Sequence, residues 1–359
     1  MTLFKISNDA KHYDWGSKYL IPALMRTDSN GQPQAEIWLG THPSDPSEVL
    51  DPIGGTLLER VGELPFLVKF LAAAKPLSIQ AHPSRARAQI QYAAGHPSYQ
   101  DANHKPELIV AVSDFEALCG FRAEQEVTAD LGALARDHEV FSPWLASFQA
   151  GGLTAATAWA FQADEAVIGA LVSEREILGP ERAKLIEVMA EHFGFDAGIL
   201  VSVLMNYVTL KPGQALFLPA GNIHSYLSGL GVEVMAASDN VLRGGLSKKP
   251  IDIAELMEVL DFKSLDEPMI ETRSLGQGLV EYPVSCDDFS VYQVSPSGQQ
   301  MLVDIELHGA SIIACVAGEL TVSNSLDEMV QLAPGEAAFM RAAKYFSVTG
   351  SGTGYLAMG

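Results

Sequence analysis

LKPGQALFLPA, residues 210–220, returns without a gap as LAPGEAAFMRA at 332–342. Six residues recur at the same offsets: Leu210/Leu332, Pro212/Pro334, Gly213/Gly335, Ala215/Ala337, Phe217/Phe339 and Ala220/Ala342. Each copy reads as a Pro-Gly turn feeding an alternating strand. A turn-and-strand unit used twice points to two related β modules, jelly rolls or barrels. Outward from this pair, residues 1–120 read as short strands broken by Gly and Pro (EIWLGTHPS, LPFLVKFLAA, PLSIQAHP, PELIVAVS). Between about 123 and 206 the texture changes. ADLGALARDHE, ADEAVIGALVSERE and PERAKLIEVMAEHFG place Ala, Leu and Glu at helical spacing. IDIAELMEVLDF (251–262) is a further helix, and strands fill the rest. The expected fold is mainly β with an inserted α-helical domain and two jelly-roll or β-barrel modules. The expected units are 1–122 with 207–265, an insert at 123–206, and a C-terminal β domain at 266–359.

Composition narrows the function. The chain has 359 residues, too many for one ordinary core, and a formal net charge of −21. That acid excess argues against nucleic acid and anionic membranes as partners, but a small anionic substrate can still meet a locally basic pocket. Cys119, Cys286 and Cys315 are far apart and odd in number, which fits a reducing compartment without a disulfide framework. No apolar run has the length of a signal-peptide core or a membrane span, so a cytoplasmic protein is expected. No obligate protein partner is implied.

The chemistry starts at SIQAHP (78–83). Side chains two apart on a strand share a face, so Gln80 and His82 converge, and Pro83 ends the ladder. HKPE (104–107) adds His104, Lys105 and Glu107, and PAGNIHSY (219–226) adds His224 at the exit of the echoed strand. Gln80, His82, Glu107 and His224 offer two imidazoles, a carboxylate and an amide oxygen, a mixed set that suits zinc or a similar divalent ion. Taken singly, each has a plain structural explanation: a core histidine, a surface glutamate, a strand glutamine. The second module has Phe346 at the offset of His224, and its AAKYF segment holds no metal-binding side chain. One polar module and one that has lost its polar mouth is the expectation. SDNVLRGGLSKK (238–249) carries Asp239, Arg243, Lys248 and Lys249, with no acid from 240 to 249. Gly244 and Gly245 would let this backbone approach an anion closely, or the stretch is simply a solvated basic loop.

Together LPFLVKFL, KPLSIQAHPS, NHKPELIVAVSDFEALCGFR and LKPGQALFLPAGNIHSYLSGLGVEVMAASDNVLRGGLSKK closely resemble the type I mannose-6-phosphate isomerases. AEIWLGTHPS and YDWGSK resemble that family's N-terminal region. The resemblance is dense through 120 and over 196–262, and weak elsewhere. It implies a zinc-dependent enzyme of the cupin fold, with two cupin-like modules of which the C-terminal β domain carries no metal, one Zn²⁺ per chain, and interconversion of mannose 6-phosphate and fructose 6-phosphate. It implies Gln80, His82, Glu107 and His224 as zinc ligands. It places Lys69, Ser78, Lys105, Tyr226, Glu233, Asp239, Arg243 and Lys249 around the sugar phosphate. Many members read T-P-K where this chain has Ser247-Lys248-Lys249, so the lysine that meets phosphate is open between the two.

Aldose–ketose isomerisation moves a proton between C1 and C2 through an enediolate. A divalent ion and a fixed cation suit the charge growing on O1 and O2. Arg243 is the expected enediolate stabiliser. His104, Lys105, Glu233 and Asp239 are the expected proton carriers, and Ser78, Lys69 and Lys249 the phosphate contacts. The rivals are an isomerase for another sugar phosphate, a sugar-sensing protein with a relic metal site, and a metal dioxygenase. The bifunctional type of isomerase is disfavoured, because no Gly-rich nucleotidyltransferase segment precedes the β modules.

Overall fold

The computed structural model describes residues 2–297, 301–303, 309–341 and 346–359, the side chains of 301–303 excepted. It is mainly β, with antiparallel sheets and a run of helices. Ala342 of the echo, and all of AAKYF except Phe346, lie outside the described residues.

The echo is a repeat of structure. Gly213 and Gly335 turn at φ of 87° and 85°, the left-handed region that favours glycine. Gly213 N–H donates to Ala111 O and Gly335 N–H to Cys315 O, each at 2.9 Å. Gln214 and Glu336, one residue on, close their own turns onto Lys211 O and Ala333 O.

Beyond the turns, whole sheets follow one order. In the first, Ala215–Leu218, Glu107–Ala111, His224–Ala236, Phe66–Ala73, Glu36–Leu39 and Ala10–Lys11 lie side by side. In the second the sequence is Ala337–Arg341, Ala310–Ala317, Thr353–Met358, Ser290–Val294, Leu279–Tyr282 and Arg273–Gly276. The expectation that residues 1–122 belong wholly to the first unit is corrected at one edge. Leu3–Ser7 pairs with Ala337–Arg341 and, on its other side, with Glu48–Val49, so the chain starts in the sheet of its C-terminal part. This covers an edge that would otherwise present unpaired N–H and C=O groups.

A shared core joins the two sheets. Phe66, Val68, Phe70, Val110 and Val232 of the first meet Tyr282, Phe289, Val291, Ile312, Phe339 and Tyr355 of the second. The strand Phe66–Ala73 is buried along its whole length, as FLVKFLAA reads for a central strand covered on both faces.

The helices lie between two paired strands. Phe115–Phe121 is antiparallel to Met205–Leu210, with Phe121 opposite Met205. Glu124–Asp137, Ser142–Gln162, Glu165–Ser173, Pro180–Phe193 and Gly198–Val203 occupy the intervening chain. In the C-terminal part the corresponding strands, Leu320–Asn324 and Met329–Leu332, are joined directly, with Ser323 opposite Met329. Local signals set the helix ends. Pro180 opens one helix where its missing N–H costs nothing, and Gly194 at φ 67° closes it. The helices have their own core around Trp144, Leu131, Leu171 and Met189, which takes in Ile79, Ala81, Leu242 and Leu246 from the β part. Among the described residues, no helix is long and apolar enough to cross a membrane.

Candidate metal centre and sugar-phosphate site

Alternation places the first candidate ligands. Ile79 and Ala81 are buried in the helical core, so Gln80 and His82 face the other way. The ladder ends at Ala81, ahead of Pro83. Gln80 is in register with His224 on one side and with Arg243 on the other, which puts three polar side chains on one face. Glu107 opens its own strand opposite Leu218.

His82, Glu107 and His224 meet in a buried cluster whose ligand-capable atoms all lie within 4.8 Å of one another. His82 Nδ1 donates to Asn240 O at 2.7 Å, and His224 Nδ1 to Asn222 O at 3.0 Å. A carbonyl can only accept, so both rings carry their proton on Nδ1 when neutral. Burial holds His82 neutral, with its pKa down to about 4. Each Nε2 therefore points a lone pair at the Glu107 carboxylate, at 3.2 Å from His82 and 3.4 Å from His224. Burial alone would raise Glu107. The Lys105 ammonium 3.0 Å away outweighs it and holds the acid well below its usual range. His82 Nε2, His224 Nε2 and Glu107 Oε2 are buried without a hydrogen-bond partner among the described residues. Three electron-rich atoms facing one another are repulsive without a cation between them. This donor set fits a divalent ion, and zinc in particular.

A cavity of about 480 Å³ opens beside the cluster. Gln80, Glu107, Lys105, Lys69, Ser78, Tyr226, Glu233, Arg243, Lys248 and Lys249 all line it. Arg243 is half-buried, and burial pushes its pKa down. Among the described residues no carboxylate pairs with it, nor with Lys248 or Lys249. Burial, then the Glu233 and Glu107 charges, hold the Tyr226 hydroxyl well above its ordinary pKa.

Four expectations need correction. Lys69 is not a free phosphate anchor. It is buried, 2.9 Å from Glu233 and 3.5 Å from Glu36, and these acids raise its pKa against the burial that would lower it. His104 does not line the cavity. Its Nε2 lies 2.7 Å from Asp288 and 2.6 Å from Arg85. Asp239 is exposed and engages His42 at 3.1 Å, a contact that lowers its pKa. It borders a neighbouring cavity that meets the first at Arg243. The glycines after Arg243 serve packing, not anion approach: a Cβ on Gly245 would stand 2.4 Å from Gly198 Cα of the helical part. Asp196 accepts from both Gly198 N and Leu246 N, which fastens this loop to the helices.

Sequence reasoning missed Asp14, Trp15, Glu36, Lys75, His192 and Phe193 in the cavity wall. YDWGSK and EIWLG drew notice without a role. Nothing in the local pattern brings His192 and Phe193, at a helix end, to this wall.

The sheet register also shows what the C-terminal part has in place of the cluster. Leu218 faces Glu107, and at the same offset Met340 faces Ser311. Phe346 begins its strand as His224 begins the other. Glu233 opposite Lys69 becomes Leu356 opposite Tyr292. Acid, imidazole and ion pair are replaced by hydroxyl and hydrocarbon.

Residues 3–124 match the family model of the phosphomannose isomerase type I catalytic domain. Across 98% of both chains the sequence is 36% identical to mannose-6-phosphate isomerase of Escherichia coli (strain K12). The chain belongs to the type I phosphomannose isomerases. Mannose-6-phosphate isomerase 1 of Arabidopsis thaliana is 32% identical over 88% of this chain and 84% of its own. A variant of phosphomannose isomerase from Salmonella typhimurium matches with a TM-score of 0.91 at 31% identity, covering 100% of this chain and 99% of its own. A zinc-bound mannose 6-phosphate isomerase matches with a TM-score of 0.89 at 32% identity and the same coverage.

Proposed function

We propose that this chain interconverts mannose 6-phosphate and fructose 6-phosphate, with Gln80, His82, Glu107 and His224 holding one zinc ion. The observation that carries this reading is the three lone-pair atoms buried together beside a cavity that Glu107, Lys105, Arg243, Lys248 and Lys249 line. Family membership supplies the reaction. Bound there, the ion would supply a Lewis acid for the charge that develops on the sugar oxygens. Lys105, 3.0 Å from Glu107 and in the cavity wall, moves the proton between C1 and C2, taking it from one carbon as the free amine and returning it to the other as the ammonium. The Arg243 guanidinium, which has no carboxylate partner among the described residues, holds the charge that gathers on O1 and O2 as the enediolate forms. Lys248, Lys249 and Ser78 take the phosphate, and Tyr226 and Glu233 face the sugar hydroxyls. Lys69 keeps Glu233 in place.

The repeated sheet order supports two cupin-like modules, 1–122 with 207–265 and 266–359, with strands near the N-terminus completing the second. The hairpin that stands in the C-terminal part where the helices stand in the first supports an insert at 123–206. Three free thiols suit a reducing compartment, in keeping with a cytoplasmic protein.

The test is an assay for fructose 6-phosphate from mannose 6-phosphate, with metal analysis before and after chelation. Glucose and ribose phosphates serve as competing substrates. Stoichiometric zinc, loss of turnover on chelation and its return with zinc are expected. Full turnover in a metal-free sample, or none on mannose 6-phosphate in the zinc-loaded protein, overturns the proposal.

A further inference from the structure

We infer that Asp288, from the C-terminal β part, is a positioning residue that fixes the spacing between the two segments carrying His82 and Glu107. This rests on the zinc reading above and deepens it. Asp288 Oδ2 lies 2.7 Å from His104 Nε2, and its Oδ1 accepts from Arg85 at 2.7 Å. Arg85 follows His82 by three residues, and His104 precedes Glu107 by three. One carboxylate thus binds the segment leaving the first ligand and the segment entering the second.

The clamp has a rigid base. Phe289, the next residue, is buried in the core shared by the two sheets. The Asp288 side chain is only 12% exposed. Pro83 and Pro106 stiffen the short links from the clamp to the ligands. With His82 Nε2 and Glu107 only 3.2 Å apart, a small shift of either segment changes the space left for an ion. Groups beyond the ligands tune metal affinity by holding the ligands in place. His104 then has a part that suits its position outside the cavity, as the link between Asp288 and the HKPE turn.

The experiment is a zinc competition titration against a chromophoric chelator. It uses the full chain carrying Asp288→Ala, Asp288→Asn, His104→Ala or the double change Asp288→Ala with His104→Ala. Arg273→Ala, which removes an exposed arginine from its ion pair with Glu281 in the same β part, is the control. Asp288→Ala should weaken zinc binding by about tenfold, the low end for outer-shell groups. Asp288→Asn should retain part of the affinity, and Arg273→Ala all of it. His104→Ala should also weaken zinc, and the double change should cost less than the two singles added. The melting temperature of the metal-free protein separates a general loss of stability from a change at the site. If Asp288→Ala does not fold, Asp288→Asn decides. Zinc affinity within twofold of wild type in the folded Asp288 variants overturns the inference while leaving the zinc reading intact. A wild-type protein that binds no stoichiometric zinc removes that reading instead.

Discussion

Lys69→Met separates a structural lysine from a phosphate anchor. Lys69 is buried between Glu233 at 2.9 Å and Glu36 at 3.5 Å, and it lies over the Trp38 ring at 5.4 Å. Methionine fills similar volume without charge, so packing changes little while two buried carboxylates lose their shared cation. Removing one partner of a buried ion pair costs about 3–5 kcal/mol. At about 2.1 cal/mol/K of unfolding entropy per residue, a chain of this length should lose roughly 4–7 °C in melting temperature. The pH dependence has a definite sign. Burial already raises the folded pKa of Glu233, and Lys69 opposes that rise. Without Lys69 the folded pKa climbs further above its unfolded value. Such a group favours the folded state below its unfolded pKa and loses that advantage as pH rises through the folded one. The deficit of Lys69→Met should therefore be larger at neutral pH and shrink in acid, as Glu233 takes up a proton. Denaturant unfolding of both proteins at neutral and at acid pH checks this. Unchanged stability together with a raised KM would refute the reasoning and return Lys69 to the phosphate.

Arg243→Ala should lower kcat by about 10²–10³ with KM nearly unchanged, and Arg243→Lys should recover only part, since a point charge lacks the planar fork. Lys249→Ala should mainly raise KM, and steady-state kinetics with mannose 6-phosphate tell the two signatures apart. Phe346→Ala, at a buried ring in the position of His224, should cost about 3–5 kcal/mol in denaturant unfolding and leave the metal content by elemental analysis unchanged. His82→Ala should weaken zinc binding more than Gln80→Ala in chelator competition, because imidazole is the better zinc donor.

What the sequence made legible is what strand and turn chemistry encode locally. Alternation in SIQAHP told which side chains share a face, and the Pro-Gly turn with its Ala and Phe offsets marked the repeat. The change of texture near 123 located the helices. What stayed hidden depends on partners distant in the chain. Lys69 reads as an available cation until pairing sets Glu233 beside it and Glu36 near. Leu3–Ser7 carries no mark of the strand more than three hundred residues later that it joins. Gly245 looks like a phosphate turn and is instead where two backbones touch, because its neighbour Gly198 belongs to the helices. Asp239 and His104 sit in motifs next to the right residues, yet their rings and carboxylates turn to His42, Asp288 and Arg85.

The pairing of Phe121 with Met205 has a consequence for how so long a stretch of helices is tolerated inside a sheet. The entropy lost in closing a loop grows only with the logarithm of its length. From the short connection at 324–328 to the span 122–204 is about four doublings, or roughly 2.4 kcal/mol. The ladder on either side fixes the ends whatever the length between them. A mutation deep among the helices, at Trp144 for example, should then loosen that region by itself before the strands part. Hydrogen exchange would see this as two tiers of protection, with a helical region that opens and closes over a sheet still intact.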